Sequence, residues 1–142
     1  MKKLFYFAFA AMLCCGFTAC GGDDKEGVVD ADDLIGKWTL IKEVWVEDGE
    51  RGVDLNNPGD AILCFYEDGT GYGQENFGSE SWIEYFNYTV SGNKLRIVYE
   101  GDPEPEIATI MTLNANQLVL LDEGYDEDDD FSYRYESHFE RY

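Results

Sequence analysis

The sequence is short of histidine, proline, cysteine and positive charge. One histidine, His138, stands among 142 residues, so chemistry that needs a histidine pair is excluded. Ten Lys and Arg face 30 Asp and Glu, for a net charge of −20. Nucleic acid is held by clustered Lys and Arg, and anionic lipid by a basic face. The acidity argues against both. The apolar run Leu4–Cys15 has 12 residues, short of the ~20 that a bilayer-spanning helix needs. Catalytic signatures are missing as well: no Gly-x-Ser-x-Gly elbow, phosphate-binding loop, dinucleotide fingerprint or zinc-spaced Cys pair occurs. Carboxylates are so numerous that pairs at glycosidase separation arise by chance, and no pair stands out by spacing. The expectation is a protein that is not an enzyme. What is abundant is apolar and aromatic content, 44% and 15%. That is too much for a disordered chain, in a length suited to one domain.

The N-terminus carries the first address. Met1-Lys2-Lys3, the apolar run and the small residues after it have the layout of a secretory signal. Phe17-Thr18-Ala19-Cys20 resembles a bacterial lipobox, in which an apolar residue stands three places before an obligatory Cys. The resemblance implies that residues 1–19 are removed and that Cys20 carries lipid on its sulfur, with an amide-linked palmitate-type chain beside it. Two chains anchor stably where one binds only marginally. Gly21-Gly22-Asp23-Asp24-Lys25-Glu26 resembles the acidic stretch that sends Bacteroidota lipoproteins to the outer face of the outer membrane. The expected location is therefore the outer membrane, with the cell surface preferred to the periplasmic face. Residues 20–33 form the lipidated Cys and an acidic tether, with a reach of ~20 Å. Removing residues 1–19 takes Lys2 and Lys3 but no acid, which lowers the net charge to −22. Cys14 and Cys15 leave with the signal and Cys20 is acylated. Cys64 then has no partner for a disulfide and reads as a core residue of its apolar run.

From residue 34 to 142 the chain reads as one all-β domain. After a short helical turn at 32–36, eight β-rich runs are expected, at 37–47, 61–67, 71–77, 81–90, 94–100, 107–113, 117–122 and 131–141. Asp48-Gly49, Asp68-Gly69, Gly78-Ser79 and Ser91-Gly92-Asn93 separate them. Pro103 and Pro105 keep the stretch 101–105 out of any central strand. So many short strands on tight turns must close on themselves to hide their edges, and the preferred solution is an eight-stranded antiparallel up-and-down barrel.

Gly36-Lys37-Trp38 at the start of the first run resembles the Gly-x-Trp of lipocalins and related calycins. Together with Phe65-Tyr66-Glu67-Asp68-Gly69-Thr70-Gly71 and the Trp82…Tyr88-Thr89-Val90-Ser91-Gly92-Asn93-Lys94-Leu95 run, it resembles the lipocalin-like domains of Bacteroidota lipoproteins. Lipocalins proper are longer and carry a helix after the last strand. The resemblance implies that Gly36 and Trp38 close one end of the barrel, with Arg141 of the last strand either stacked on Trp38 or solvated.

Two candidate sites remain. Asp122–Asp130 packs seven acids into nine residues, and Asp126, Asp128 and Asp130 begin like a calcium loop. Phe131 and Ser137 then occupy the positions where that template needs Gly and Glu. A solvated acidic loop is preferred to a Ca²⁺ site, and no cofactor is expected. Tyr66, Trp82, Phe86, Tyr88, Tyr99, Tyr133 and Tyr135 mix apolar faces with polar handles and would line a cavity for an apolar or amphipathic ligand. An equally weighted alternative has them fill the barrel, leaving a non-catalytic interaction module of the cell envelope with an acidic surface for a protein or Ca²⁺ partner. Acids outside the tether and the 122–130 loop fall mainly on turns and on the polar parity of strands, as a solubility coat.

Overall fold

The computed structural model describes residues 29–142. Cys20, the cut before it and the tether up to residue 28 lie outside the described residues. The first element is a 3-10 turn, Ala31–Leu34, capped by Asp30, whose side chain accepts from the Asp32 N–H at 3.0 Å. Acids at its start and a fully buried Leu34 at its end make it a plug against the strands that come after it.

Nine strands come next: β1 (Gly36–Glu47), β2 (Glu50–Leu55), β3 (Ala61–Phe65), β4 (Thr70–Phe77), β5 (Glu80–Ser91), β6 (Lys94–Tyr99), β7 (Glu106–Leu113), β8 (Gln117–Asp126) and β9 (Phe131–Arg141). Neighbours pair antiparallel in the order β2-β1-β3-β4-β5-β6-β7-β8-β9. Strand β1 also pairs with β9, from Trp38↔Arg141 to Glu47↔Tyr133, which closes β1 and β3–β9 into an eight-stranded barrel. Among the described residues no helix is long and apolar enough to cross a membrane.

The sequence reading has no strand at 50–55. Glu50-Arg51-Gly52-Val53-Asp54-Leu55 buries little, so its hydrophobic pattern is faint. It becomes a strand because the Asp48-Gly49 turn folds it onto the outer half of β1, in register from Lys42↔Leu55 to Glu47↔Glu50. The inner half of β1 bonds β3 instead, from Gly36↔Phe65 to Thr39↔Ile62. The barrel wall therefore forks after Thr39. The 56–60 loop spans the fork, with Gly59 N–H donating to Thr39 Oγ1 at 2.8 Å and Asn76 Nδ2 to Gly59 O at 2.6 Å. A second departure is at β8, which runs on to Asp126. Half of the expected acidic loop is thus strand, and the turn covers only 127–130.

Apolar side chains fill one half of the barrel. Trp38, Leu40, Leu63, Phe65, Phe86, Leu95, Ile97, Ile110, Leu118, Leu120 and Phe139 form one buried cluster with Leu34. Phe65 and Phe86 rings stand 5.5 Å apart, and Phe65 and Tyr88 meet edge-on at 5.0 Å. Such a barrel is just wide enough for its own side chains to close it. This half is the narrow end, and the turns β3–β4, β5–β6 and β7–β8 lie there. The wide end carries the turns β1–β2, β4–β5, β6–β7 and β8–β9.

Candidate functional site

At the narrow end the guanidinium of Arg141 lies over the Trp38 ring, 3.8 Å from its centroid. Arg141 Nη1 donates to Ile35 O at 2.7 Å, Nη2 to Asp33 O at 2.9 Å and Nε to Ala115 O at 3.2 Å. Trp38 Nε1 donates to Leu34 O at 2.8 Å. Gly36 sits at φ +123°, and a Cβ there would stand 2.7 Å from Arg141 Nη1. The Gly-x-Trp spacing thus makes room for the arginine that locks the 3-10 turn over the end of the barrel. This end is sealed. A depression of about 710 Å³ beside it, between Asn114–Gln117 and Glu140–Arg141, lies outside the barrel.

The wide end is built differently. Side chains alternate in and out along a strand, so the residue two beyond each core position also faces inward. Beyond Phe86 on β5 comes Glu84; beyond Ala108 on β7, Glu106; beyond Leu120 on β8, Asp122. Glu75 of β4 pairs with Ala61, and Glu43 of β1 pairs with the buried Ser137, which donates to it at 3.2 Å. The apolar core is thus followed directly by a layer of inward carboxylates. Aromatic rings stand among them: Trp45 of β1 opposite Tyr135 of β9, Tyr99 of β6 in contact with Phe86 at 5.6 Å, and Tyr133 lying over Gly124. A Cβ on Gly124 would meet the Tyr133 hydroxyl at 2.6 Å, so this glycine is what admits the ring. A depression of about 380 Å³ beside Gly124 and Tyr133 is lined mainly by the outward Val46, Glu123, Ser132 and Arg134, so it lies on the outer wall.

Five acids therefore depart from the coat expected mainly on turns and polar parity, because the registers turn them inward: Glu43, Glu75, Glu84, Glu106 and Asp122. The signal was present in the alternation. Glu84 shares the parity of Phe86 and Tyr88, Glu106 that of Ala108, and Asp122 that of Leu118 and Leu120. The environment shifts the protonation of Glu106 and Asp122. Burial, then the charges of Asp122, Glu84 and Asp102, raises Glu106 to about 8. Burial and then Glu123 raise Asp122 to about 6. The Tyr99 hydroxyl is pushed up by burial first, then by Glu106 and Glu84. Tyr135 is pushed up by burial and by its hydrogen bond to Glu47.

The seven aromatic candidates are divided by the fold. Phe86 is buried in the narrow half with Tyr88 packed on it, so both belong to the core. Tyr99 sits at the boundary, and Tyr133 and Tyr135 face into the wide half. Trp82 is on the inward parity but at the rim, 56% exposed. Tyr66 is a correction: it follows the end of β3, lies outside the barrel and packs its ring at 6.2 Å from Tyr72. In the acidic turn, Asp126 accepts from the N–H groups of Asp128 and Asp129, and the Tyr125 hydroxyl donates to Asp130. Those carboxylates serve the turn. Among the described residues no three His, Cys, Asp or Glu side chains are grouped to hold a metal ion. Cys64 is a free, buried thiol. His138 accompanies Glu136 at 2.7 Å, away from the wide end's inner wall.

Residues 34–120 match the family model described as a lipocalin-like domain. The fold is similar to that of a lipocalin-like protein from Bacteroides uniformis, at 16% identity over 78% of this chain and 99% of that one, with a TM-score of 0.57. It is similar to an uncharacterized protein from Bacteroides eggerthii, at 13% identity over 77% and 99%, with a TM-score of 0.57. Insecticyanin from the tobacco hornworm Manduca sexta matches at 11% identity over 81% of this chain and 66% of its own, with a TM-score of 0.62. At such identities the likeness is one of fold. Comparison with curated proteins gives no match.

Proposed function

The chain belongs to the lipocalin-like domain family, and on that premise we propose that it is a membrane-tethered, non-catalytic protein that holds a small amphipathic ligand in the wide half of its barrel. One observation carries this reading: the apolar core stops halfway, and the inward positions beyond it are carboxylates, hydroxyls and aromatic rings. Groups of that kind do not close-pack as an apolar core does, and a pocket with convergent polar groups on an aromatic wall is how small molecules are held. The lipobox at Phe17–Cys20 supports a lipid anchor, and the acidic stretch after it supports the outer membrane and its exposed face.

Native mass spectrometry of the protein isolated from its own cells tests the ligand. The expected result is a population heavier than the acylated polypeptide by a few hundred daltons, lost on denaturation. Only the acylated mass, under conditions that preserve the fold, would count against a carrier.

A second reading, an interaction module of the envelope, is favoured by the outer wall. The exposed Tyr66 and Tyr85 flank the half-buried Tyr72 in a row with ring centroids 6.2 and 6.4 Å apart, beside the exposed Ile83. Apolar area gathered on one face is characteristic of a contact surface.

A further inference from the structure

We propose that the ligand taken by the wide end is an organic cation, a small amine with an aromatic body, whose ammonium sits at Asp122 and Glu106 between the rings of Tyr99 and Tyr135. This rests on the ligand-holding reading above and names the chemistry of that site.

Asp122 carries the inference. It is 6% exposed, faces inward opposite Tyr135, and its Oδ2 is enclosed with no hydrogen-bond partner among the described residues. An ionised carboxylate out of water is costly unless a donor or a cation meets it. Among the described residues the registers place no Lys or Arg at an inward position of the wide half. Arg134 lies on the outer face with Glu123 at 2.7 Å, and Arg141 is at the sealed end. A bare metal ion is a poor match, because the carboxylates are spread around the wall instead of converging in threes. An ammonium needs less: one or two carboxylates for its N–H donors and aromatic faces for its charge. Tyr99 neighbours Glu106, and Tyr135 stands opposite Asp122. Burial, with neighbouring carboxylates second, raises both Glu106 and Asp122, so in the free protein a proton can take the ammonium's place there. The packed narrow half confines the ligand to the wide half.

Calorimetric titration of the full-length protein with phenethylamine, 2-phenylethanol and 3-phenylpropionate separates charge from shape, with the neutral apolar probe N-phenyl-1-naphthylamine alongside. The amine is expected to bind at least tenfold tighter than the alcohol or the acid. Asp122→Asn, and independently Glu106→Gln, should weaken the amine about tenfold and leave the alcohol within about twofold. If the alcohol or acid binds as well as the amine, or if only the naphthylamine binds, cation selection is wrong and the ligand-holding reading stands. If the variants weaken all three probes equally, the seat is not at these carboxylates and the proposal falls. Should none of the four bind, both readings fall.

Discussion

Arg141 and Trp38 stand directly opposite each other in the β1–β9 ladder, and the guanidinium covers the indole at 3.8 Å while it donates to three backbone carbonyls from two other segments. The last residues of the chain are thereby fastened to its first strand and to the 3-10 turn before it. A contact of this kind draws on the ring's negative face and on charge-assisted hydrogen bonds at once.

Replacing Arg141 by Ala is expected to lower stability by about 2 kcal/mol, from the stacking and hydrogen bonds together, with the thermal midpoint down by roughly 5–10 °C. Arg141→Lys should recover less than half of the loss, since an ammonium lacks the planar fork that reaches Ile35 and Asp33 together. Circular dichroism melts measure both, and an unchanged midpoint in the Ala variant would show that the stack adds nothing.

Gly36→Ala tests the same latch from the other side. Its φ of +123° is a conformation that L-residues rarely adopt, and the new methyl would press on Arg141 Nη1. The expected cost is about 2 kcal/mol or more. In the double variant with Arg141→Ala the loss should be smaller than the sum of the two single losses, because the clash vanishes with the arginine.

The unliganded protein should become more stable as pH falls from 8 to 5. Glu106 rises from an ordinary 4.5 to about 8, and Asp122 from 3.8 to about 6. Between those values the folded state binds more protons than the unfolded one, so stability drops as pH rises through the window and is greatest below it. The groups facing them are Glu75 of β4, Glu84 of β5, Tyr99 of β6, Asp102 of the β6–β7 turn, and Glu43, Glu47, Tyr133 and Tyr135 of β1 and β9. All are acidic or neutral, so none reverses the sign. Scanning calorimetry should record a midpoint roughly 5–10 °C higher at pH 5. Glu106→Gln should flatten that slope by raising the midpoint at pH 8, and a midpoint that falls toward pH 5 would contradict the assignment.

The proposed anchor has its own test. Cys20→Ala should move the protein from the membrane pellet to the soluble fraction in its own cells, with detergent-phase partitioning reduced at least tenfold. A variant that stays in the membrane fraction would mean that something other than acylation holds it there.

Much of the fold was legible in the alternation of residues such as Leu95, Ile97 and Tyr99 and in turns such as Asp68-Gly69. Strand β2 was not, because its residues bury little and its pairing comes from the edge that β1 offers. Tyr66 and Tyr99 show the limit for the site. Each ends an apolar run, yet one lies outside the barrel and the other at the edge of its core.

By itself the sequence determined an all-β meander with Trp38 near its start and Arg141 at its end, because side-chain period and turn chemistry act over a few residues. It also determined the charge. Only the tertiary structure decided where that charge lies. Closure through β1 and β9 gives every strand an inside, and a carboxylate two residues past a core position is then carried inward with it. Glu84, Glu106 and Asp122 became an inward layer for that reason, with Asp122 buried, Glu106 half-buried and Glu84 exposed, although each sits in a stretch of sequence that also holds solvent-facing acids.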